Sequence, residues 1–295
     1  CKDIIMKILV TGGAGFVGTN LIKALLRDGH DVTSIDNYST GFEHNHQEGC
    51  KYINTDLSIE EPKHGAWGQD KFQIEKPDMI YHMAALARIQ PSLKWPTKTI
   101  NNNFNSTLNI LEYARENEIP VVFAGSSSFH HGLWGSPYAW SKFAGEQLCE
   151  LYWKVYKLPT AICRFYNVYG PHQLESGTYA TVIGIFEKLH REGKPLTVTG
   201  TGEQRRDFTH IDDIVDGIIK CSLSIETVAG EIFELGRGEN HSINELADMF
   251  GAEKEYIPAR DGEYDITLAN YSKANQVLGW QPRRDLEDYI RMIVE

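Results

Sequence analysis

Lys7-Ile8-Leu9-Val10-Thr11-Gly12-Gly13-Ala14-Gly15-Phe16-Val17-Gly18 reads as a strand running straight into a glycine turn and a helix. The apolar run at 7–10 is of the kind that makes a buried parallel strand. Leu21, Ile22, Leu25 and Leu26 follow at helical spacing. Glycines at 12, 15 and 18 suit a tight turn, close backbone approach to a diphosphate, and close helix–strand packing. Gly13, Gly15 and Gly18 also satisfy the G-x-G-x-x-G form. Amides at the helix start, at Phe16 and Val17, would face the negative charge. Alone, such a pattern marks only a tight turn. Here a second strand, Asp31-Val32-Thr33-Ser34-Ile35, ends at Asp36, roughly 20 residues past the glycines, where an acid accepts from adenosine ribose hydroxyls.

Further strands are expected at Lys51–Asn54, Asp78–His82, Val121–Ala124 and Thr160–Phe165, with helical patterns between most of them. That alternation implies an α/β fold, a Rossmann-like doubly wound parallel sheet. Ligands then gather beyond the carboxyl ends of the strands, where Gly12, Asp36, Asp56, Ala84, Ser126 and Tyr166 fall. Glu43–Gln73 reads as an excursion around the third strand. After Asn167 the pattern loosens: Tyr179–Arg191, Asp212–Ser222, Ile243–Phe250 and Leu286–Val294 read as helices, Leu196–Thr199 and Ile232–Leu235 as strands. This half should form a smaller C-terminal lobe that grips substrate.

Tyr138-Ala139-Trp140-Ser141-Lys142 sets a Tyr and a Lys four residues apart, on one helical face. An unperturbed Tyr titrates near pH ~10, and a nearby cation brings it towards the working range. With a Ser hydroxyl in reach, the set suits removing a proton from an alcohol while a hydride leaves its carbon. Ser126, Ser127 and Ser128 stand a short way upstream.

Together these motifs resemble the extended short-chain dehydrogenase/reductases, in the nucleotide-sugar epimerase/dehydratase family typified by UDP-galactose 4-epimerase. The resemblance covers nearly the whole chain. Asp36-Asn37, Asp56-Leu57, His82-Met83-Ala84-Ala85, Asn102, Ser127, Tyr138/Lys142, Arg164-Phe165-Tyr166-Asn167, Arg206-Asp207-Phe208 and Leu278-Gly279-Trp280 fall in the family order. It implies NAD as cofactor, with Asp56 and Leu57 at the adenine, Ala84 and Ala85 beneath the cofactor, and Asn102 beside it, though Asn101 and Asn103 compete for that last place. It implies Ser127, Tyr138 and Lys142 as the catalytic trio; Gly132, five residues on, selects Ser127. Asn167, Arg206 and Arg260 resemble the diphosphate and uridine-side contacts. The implied division is residues 1–166 plus roughly 207–236 for NAD, and 167–206 with 237–295 for substrate. Helices at Thr99–Glu116 and Pro137–Lys157 carry Phe104, Leu108, Leu148, Leu151 and Tyr152 on more than one face; the family builds a homodimeric four-helix bundle from them, whereas burial within one subunit is the plainer reading.

Three departures stand out. The family's dehydratases follow the catalytic hydroxyl with Asp-Glu, but here Ser128 and Phe129 follow, leaving no acid–base pair for eliminating water. Only ten residues separate Ser127 from Tyr138, which predicts a wider sugar pocket. Asn270 also replaces a usual Asp, a change expected to affect only a helix cap.

A formal net charge of -11 argues against nucleic acid as a partner. No stretch approaches the roughly 18 apolar residues of a membrane span, and no signal-peptide pattern appears. The five scattered cysteines read as reduced thiols of a cytoplasmic protein. Met6 is a candidate natural start, with Cys1 to Ile5 left over ahead of it. His44, His46, His130 and His131 lack metal-site spacing and read as solvated loop residues, so no metal is expected. The expectation is an NAD-dependent nucleotide-sugar epimerase inverting C4 of a UDP-hexose through a 4-keto sugar. The competing readings are a nucleotide-4-ketosugar reductase with the same residues, and a non-catalytic sugar-nucleotide sensor.

Overall fold

The computed structural model describes residues 5–59, 74–130, 132–262 and 264–295. Cys1, His131 and the later part of the Glu43–Gln73 excursion lie outside these residues. The chain runs β1 (Lys7–Thr11), α1 (Phe16–Arg27), β2 (Asp31–Asp36), β3 (Lys51–Asn54), β4 (Met79–His82), α2 (Ile89–Lys94), α3 (Pro96–Asn117), β5 (Val121–Ser126), α4 (Pro137–Tyr156) and β6 (Thr160–Phe165). It continues β7 (Val168–Tyr169), α5 (Val182–Arg191), β8 (Leu196–Thr199), β9 (Arg205–Arg206), β10 (Thr209–His210), α6 (Ile211–Leu223), α7 (Ile225–Val228) and β11 (Ile232–Leu235). Last come β12 (His241–Ser242), α8 (Ile243–Met249), β13 (Lys254–Ile257), α9 (Ser272–Leu278) and α10 (Leu286–Val294).

Seven strands form one sheet in the order β11-β6-β5-β4-β1-β2-β3. Every pairing in it is parallel. The order reverses between β1 and β4, which opens a crevice beyond their carboxyl ends. β4 and β5 are buried along their whole length, as strands covered on both faces must be. Leu21, Ile22 and Leu25 of α1 cover one face with Ile214 and Ile218 of α6. Ile110 and Leu111 of α3, with Cys149 and Tyr152 of α4, cover the other. A third core, with Phe186 of α5, Val198 of β8, Leu246 of α8 and Ile290 of α10, belongs to the smaller lobe.

Helix α5 starts at Val182 rather than Tyr179, because the Thr181 hydroxyl accepts from the Gly184 amide at 2.9 Å and sets the N-terminus there. Residues 178–181 are thereby left as a loop over the crevice. The C-terminal segment divides between the lobes. Trp280 is fully buried in the sheet's core, its indole donating to the Asp213 carbonyl at 2.8 Å. Gly217 of α6 makes this possible, since a Cβ there would stand 3.0 Å from the indole nitrogen. Asp207 ties the lobes together: its buried carboxylate accepts from the amides of Arg237 and Gly238, both at 2.8 Å, and of Ala269 at 3.0 Å. At the Asn270 departure, the side chain accepts from the Ser272 amide at 3.1 Å in a turn just ahead of α9, whose N-cap is Tyr271 with no side-chain bond.

Candidate active site

A cavity of about 950 Å³ runs along the carboxyl ends of the sheet and beneath the smaller lobe. At one end lies the glycine loop. Gly12 has φ 71°, and a Cβ on it would fall 2.8 Å from the Ala84 Cα; one on Gly18 would fall 2.2 Å from the Gly12 carbonyl oxygen. The backbone thus closes to a distance only glycine permits. Gly15 is the N-cap of helix α1 and supplies no side-chain cap, so the helix's first amides are left to a ligand, and Phe16 and Val17 line the cavity there.

Asp36 ends β2 and accepts from the Ala14 amide at 2.9 Å and the Tyr38 amide at 2.8 Å. Burial raises its pKa and those two bonds oppose the rise. Burial acts the same way on Asp56, but bonds from Ser58 and Asn37 outweigh it and hold that carboxyl below its usual range. Asn37, Leu57, Ala84 and Ala85 line the same end. Asn102 lines the cavity too, whereas Asn103 is buried and spends its amide on Leu86 and Ser141. Capless helix amides, a close-packed glycine turn and a carboxylate at the end of β2 fit a dinucleotide.

Midway stands Tyr138, one residue after the Pro137 that opens α4, with the Ser136 hydroxyl capping that helix. Its hydroxyl donates to Ser126 Oγ at 3.4 Å. The hydroxyl against the phenol is therefore Ser126, at the end of β5, while Ser127 lines the cavity beside it. Lys142 shares the helical face, but its ammonium lies 4.5 Å from the centre of the Phe123 ring and is not part of the cavity wall. Burial lowers its pKa to about 8, against the pull of Glu146 one turn on. The cation the phenol feels is Arg88: burial raises the Tyr138 pKa, and the Ser126 bond and the Arg88 charge lower it. Arg88 escaped the sequence reading, and its only signal was its place just beyond β4, where ligands gather.

Glu146 anchors this centre from behind. Its carboxylate accepts from Arg164 at 2.6 and 3.1 Å, with both side chains buried, and from the Ser126 amide at 3.3 Å. Gly125 permits the approach, since a Cβ there would lie 2.7 Å from Glu146 Oε1.

Asn167, Arg206 and Arg260 line the far end. Arg205 turns away, its guanidinium held by Asn240 at 2.8 Å and Glu245 at 2.9 Å. Asn167 has φ 26°, and its amide nitrogen donates to the Thr267 hydroxyl and the Asp207 carbonyl. Tyr166 is fully buried behind the wall and does not line it. His46 and His130 are exposed, as expected of solvated loop residues, and each also has bonded partners. His46 bonds the Tyr38 hydroxyl at 2.9 Å and stacks on Tyr52, and His130 bonds Glu234.

The chain matches the model of the NAD dependent epimerase/dehydratase family over residues 8–236. It is 32% identical to a putative UDP-glucose 4-epimerase of Methanocaldococcus jannaschii, over 97% of each chain. The structure of a UDP-glucose 4-epimerase of Thermotoga maritima with UDP-glucose is similar at a TM-score of 0.86 and 27% identity, over 98% of this chain and 97% of that one. A UDP-glucuronic acid 4-epimerase of Bacillus cereus, in complex with UDP-glucuronic acid and NAD, is similar at a TM-score of 0.85 and 29% identity, over 97% of each.

Proposed function

Since the chain belongs to the NAD dependent epimerase/dehydratase family, we propose that it inverts C4 of a UDP-sugar, with NAD as resident cofactor. One observation carries the reading: a single cavity runs from Asp36 past the glycine loop to Tyr138 and on to Arg206 and Arg260. Cofactor and sugar nucleotide can therefore meet at the phenol. The amides of the glycine loop would hold the NAD diphosphate, Asp36 the adenosine ribose, and Asp56 with Leu57 the adenine. Lys142 would hold the nicotinamide ribose. Arg206, Arg260 and Asn167 would hold the substrate's diphosphate, where a guanidinium can fork across two oxygens.

When bound, NAD supplies a hydride acceptor and later the donor. The chain's own residues move the proton. Tyr138 takes it from the C4 hydroxyl, directly or through Ser126 or Ser127, and returns it to the same oxygen after the 4-keto sugar has turned its other face in the cavity. Proton transfer of this kind contributes roughly 10²- to 10⁴-fold in rate. Ser128, where the dehydratases carry an acid, is a buried hydroxyl donating to Ser126 Oγ at 2.9 Å, which supports inversion over elimination. The working unit we propose is a cytoplasmic homodimer joined through α3 and α4. Incubating the protein with UDP-, GDP-, CDP- and dTDP-sugars and following C4 by NMR tests the function. Inversion of none of them overturns it.

A further inference from the structure

Arg88 caps α2 and lines the same cavity as Tyr138. Its one partner among the described residues is the carbonyl oxygen of Tyr179, to which Nε donates at 3.1 Å. A neutral carbonyl satisfies one N–H and none of the charge, and the rest of the fork has no acceptor among the described residues. Burial lowers the Arg88 pKa, as expected of a cation without a counter-charge.

The charges along the cavity make that lack informative. Among the described residues its only lining carboxylates are Asp36 and Asp56, both at the glycine-loop end. Beyond them the charged side chains in the wall are Arg88, Arg206 and Arg260. In the reading above, Arg206 and Arg260 answer the substrate's diphosphate. Arg88 is then a surplus cation, at the Tyr138 end where the sugar reacts. An arginine left unpaired in a partly desolvated wall is costly unless the ligand brings the anion.

We propose that Arg88 binds a carboxylate carried on the sugar itself, so that the substrate class is a UDP-hexuronic acid. The proposal rests on the UDP-sugar reading of the site. The chemistry agrees: the C6 carboxylate of a hexuronate hangs from C5, next to the C4 whose hydroxyl faces Tyr138. A guanidinium held at Nε still offers its terminal amino groups to such a carboxylate. Were Arg88 present only to favour the phenolate, it would act on every sugar alike.

The test is a selectivity ratio, measured on NAD-loaded protein by calorimetric binding of UDP-glucuronate against UDP-glucose, with NMR of the turnover products alongside. The wild type should bind UDP-glucuronate roughly 10- to 100-fold more tightly than UDP-glucose. In Arg88→Met the ratio should fall to about one, and in Arg88→Lys it should fall between. A ratio near one in the wild type, which needs no variant to fold, overturns the proposal. So does a ratio that Arg88→Met leaves in place. The two readings fail separately. Turnover of UDP-glucose with no carboxylate preference keeps the epimerase and removes the Arg88 site. An Arg88-dependent preference with no C4 inversion, or with loss of the carboxylate to give a pentose, keeps the site and removes the epimerase.

Discussion

Tyr138 is asked to act as a base in a place where burial raises its pKa, and the Ser126 bond and the Arg88 charge are what offset it. Tyr138→Phe should bind NAD normally and lose at least about 10²-fold in turnover, which steady-state kinetics beside an NAD titration will separate. Near-normal turnover in that variant would reject the phenol as base. Lys142 gives a prediction with a definite sign. Its pKa falls from an ordinary 10.5 in the unfolded chain to about 8 in the fold. Between those values the unfolded chain holds the extra proton, so this residue's contribution to stability rises as pH climbs from about 8 towards 10.5. Below about 8 the cost of burying the charge is fully present. Urea unfolding of the wild type against Lys142→Met should show a gap that shifts in the wild type's favour across that window, and a gap constant with pH would contradict it. The Tyr–Lys spacing was legible because helix geometry fixes it. The partner of the phenol was not, because the route of the Lys142 chain towards Phe123 depends on packing that spacing does not encode.

The β1–α1 junction was the most legible element, since its glycines have one physical reason each. Gly18→Ala drives a methyl into the Gly12 carbonyl, whose oxygen would stand 2.2 Å away. It should cost about 1–3 kcal/mol in unfolding experiments and weaken NAD binding with it, and full NAD affinity in the variant would refute the close-packed role. For α4 the sequence left open whether its second apolar face meets its own subunit or another. Leu148 packs in the core beside Leu108, and Tyr152 bonds Glu112, while Leu151 and Val155 are about half exposed at 48% and 58%. Leu151→Glu should therefore convert the proposed dimer to monomer in sedimentation velocity without lowering the thermal stability of the single subunit. A wild type that sediments as a monomer removes the bundle. The short connection before α4 leaves Trp134 84% exposed, so that bulky residue does not roof the cavity. Among the connection's described residues Ser128 lines the cavity, and a Cβ on Gly132 would stand 3.6 Å from Tyr264 in the wall.

Across the whole molecule, ligands join parts that the chain order keeps apart, and binding should report on global stability. NAD at about 100 times its dissociation constant should raise the free energy of unfolding by about 2.7 kcal/mol. NADP at the same concentration should do far less, because Asp36, proposed above to hold the adenosine ribose, would repel a 2′-phosphate there, and Asn37 and Tyr38 follow it rather than an arginine. Equal stabilisation by the two would show that Asp36 does not face the ribose. The doubly wound sheet could be read from alternation alone. The return of Trp280 to the sheet's core could not, since it depends on the missing side chain at Gly217, some sixty residues earlier.

The late arrival of β11 beside β6 also bears on how the chain is made. While the ribosome adds the stretch from Val168 to Glu231, β6 has a partner in β5 and none on its other side. Its open amides and carbonyls are then a template for any passing strand, and β6 is itself buried at Thr160–Arg164 in the finished fold. A polypeptide stopped at Phe165 should accordingly sediment as polydisperse aggregate, and supplying residues 166–235 in the same chain should abolish it. The cell meets that hazard with each copy it translates, so the synthesis of residues 168–231 is also the interval during which a chaperone has most reason to hold the nascent chain.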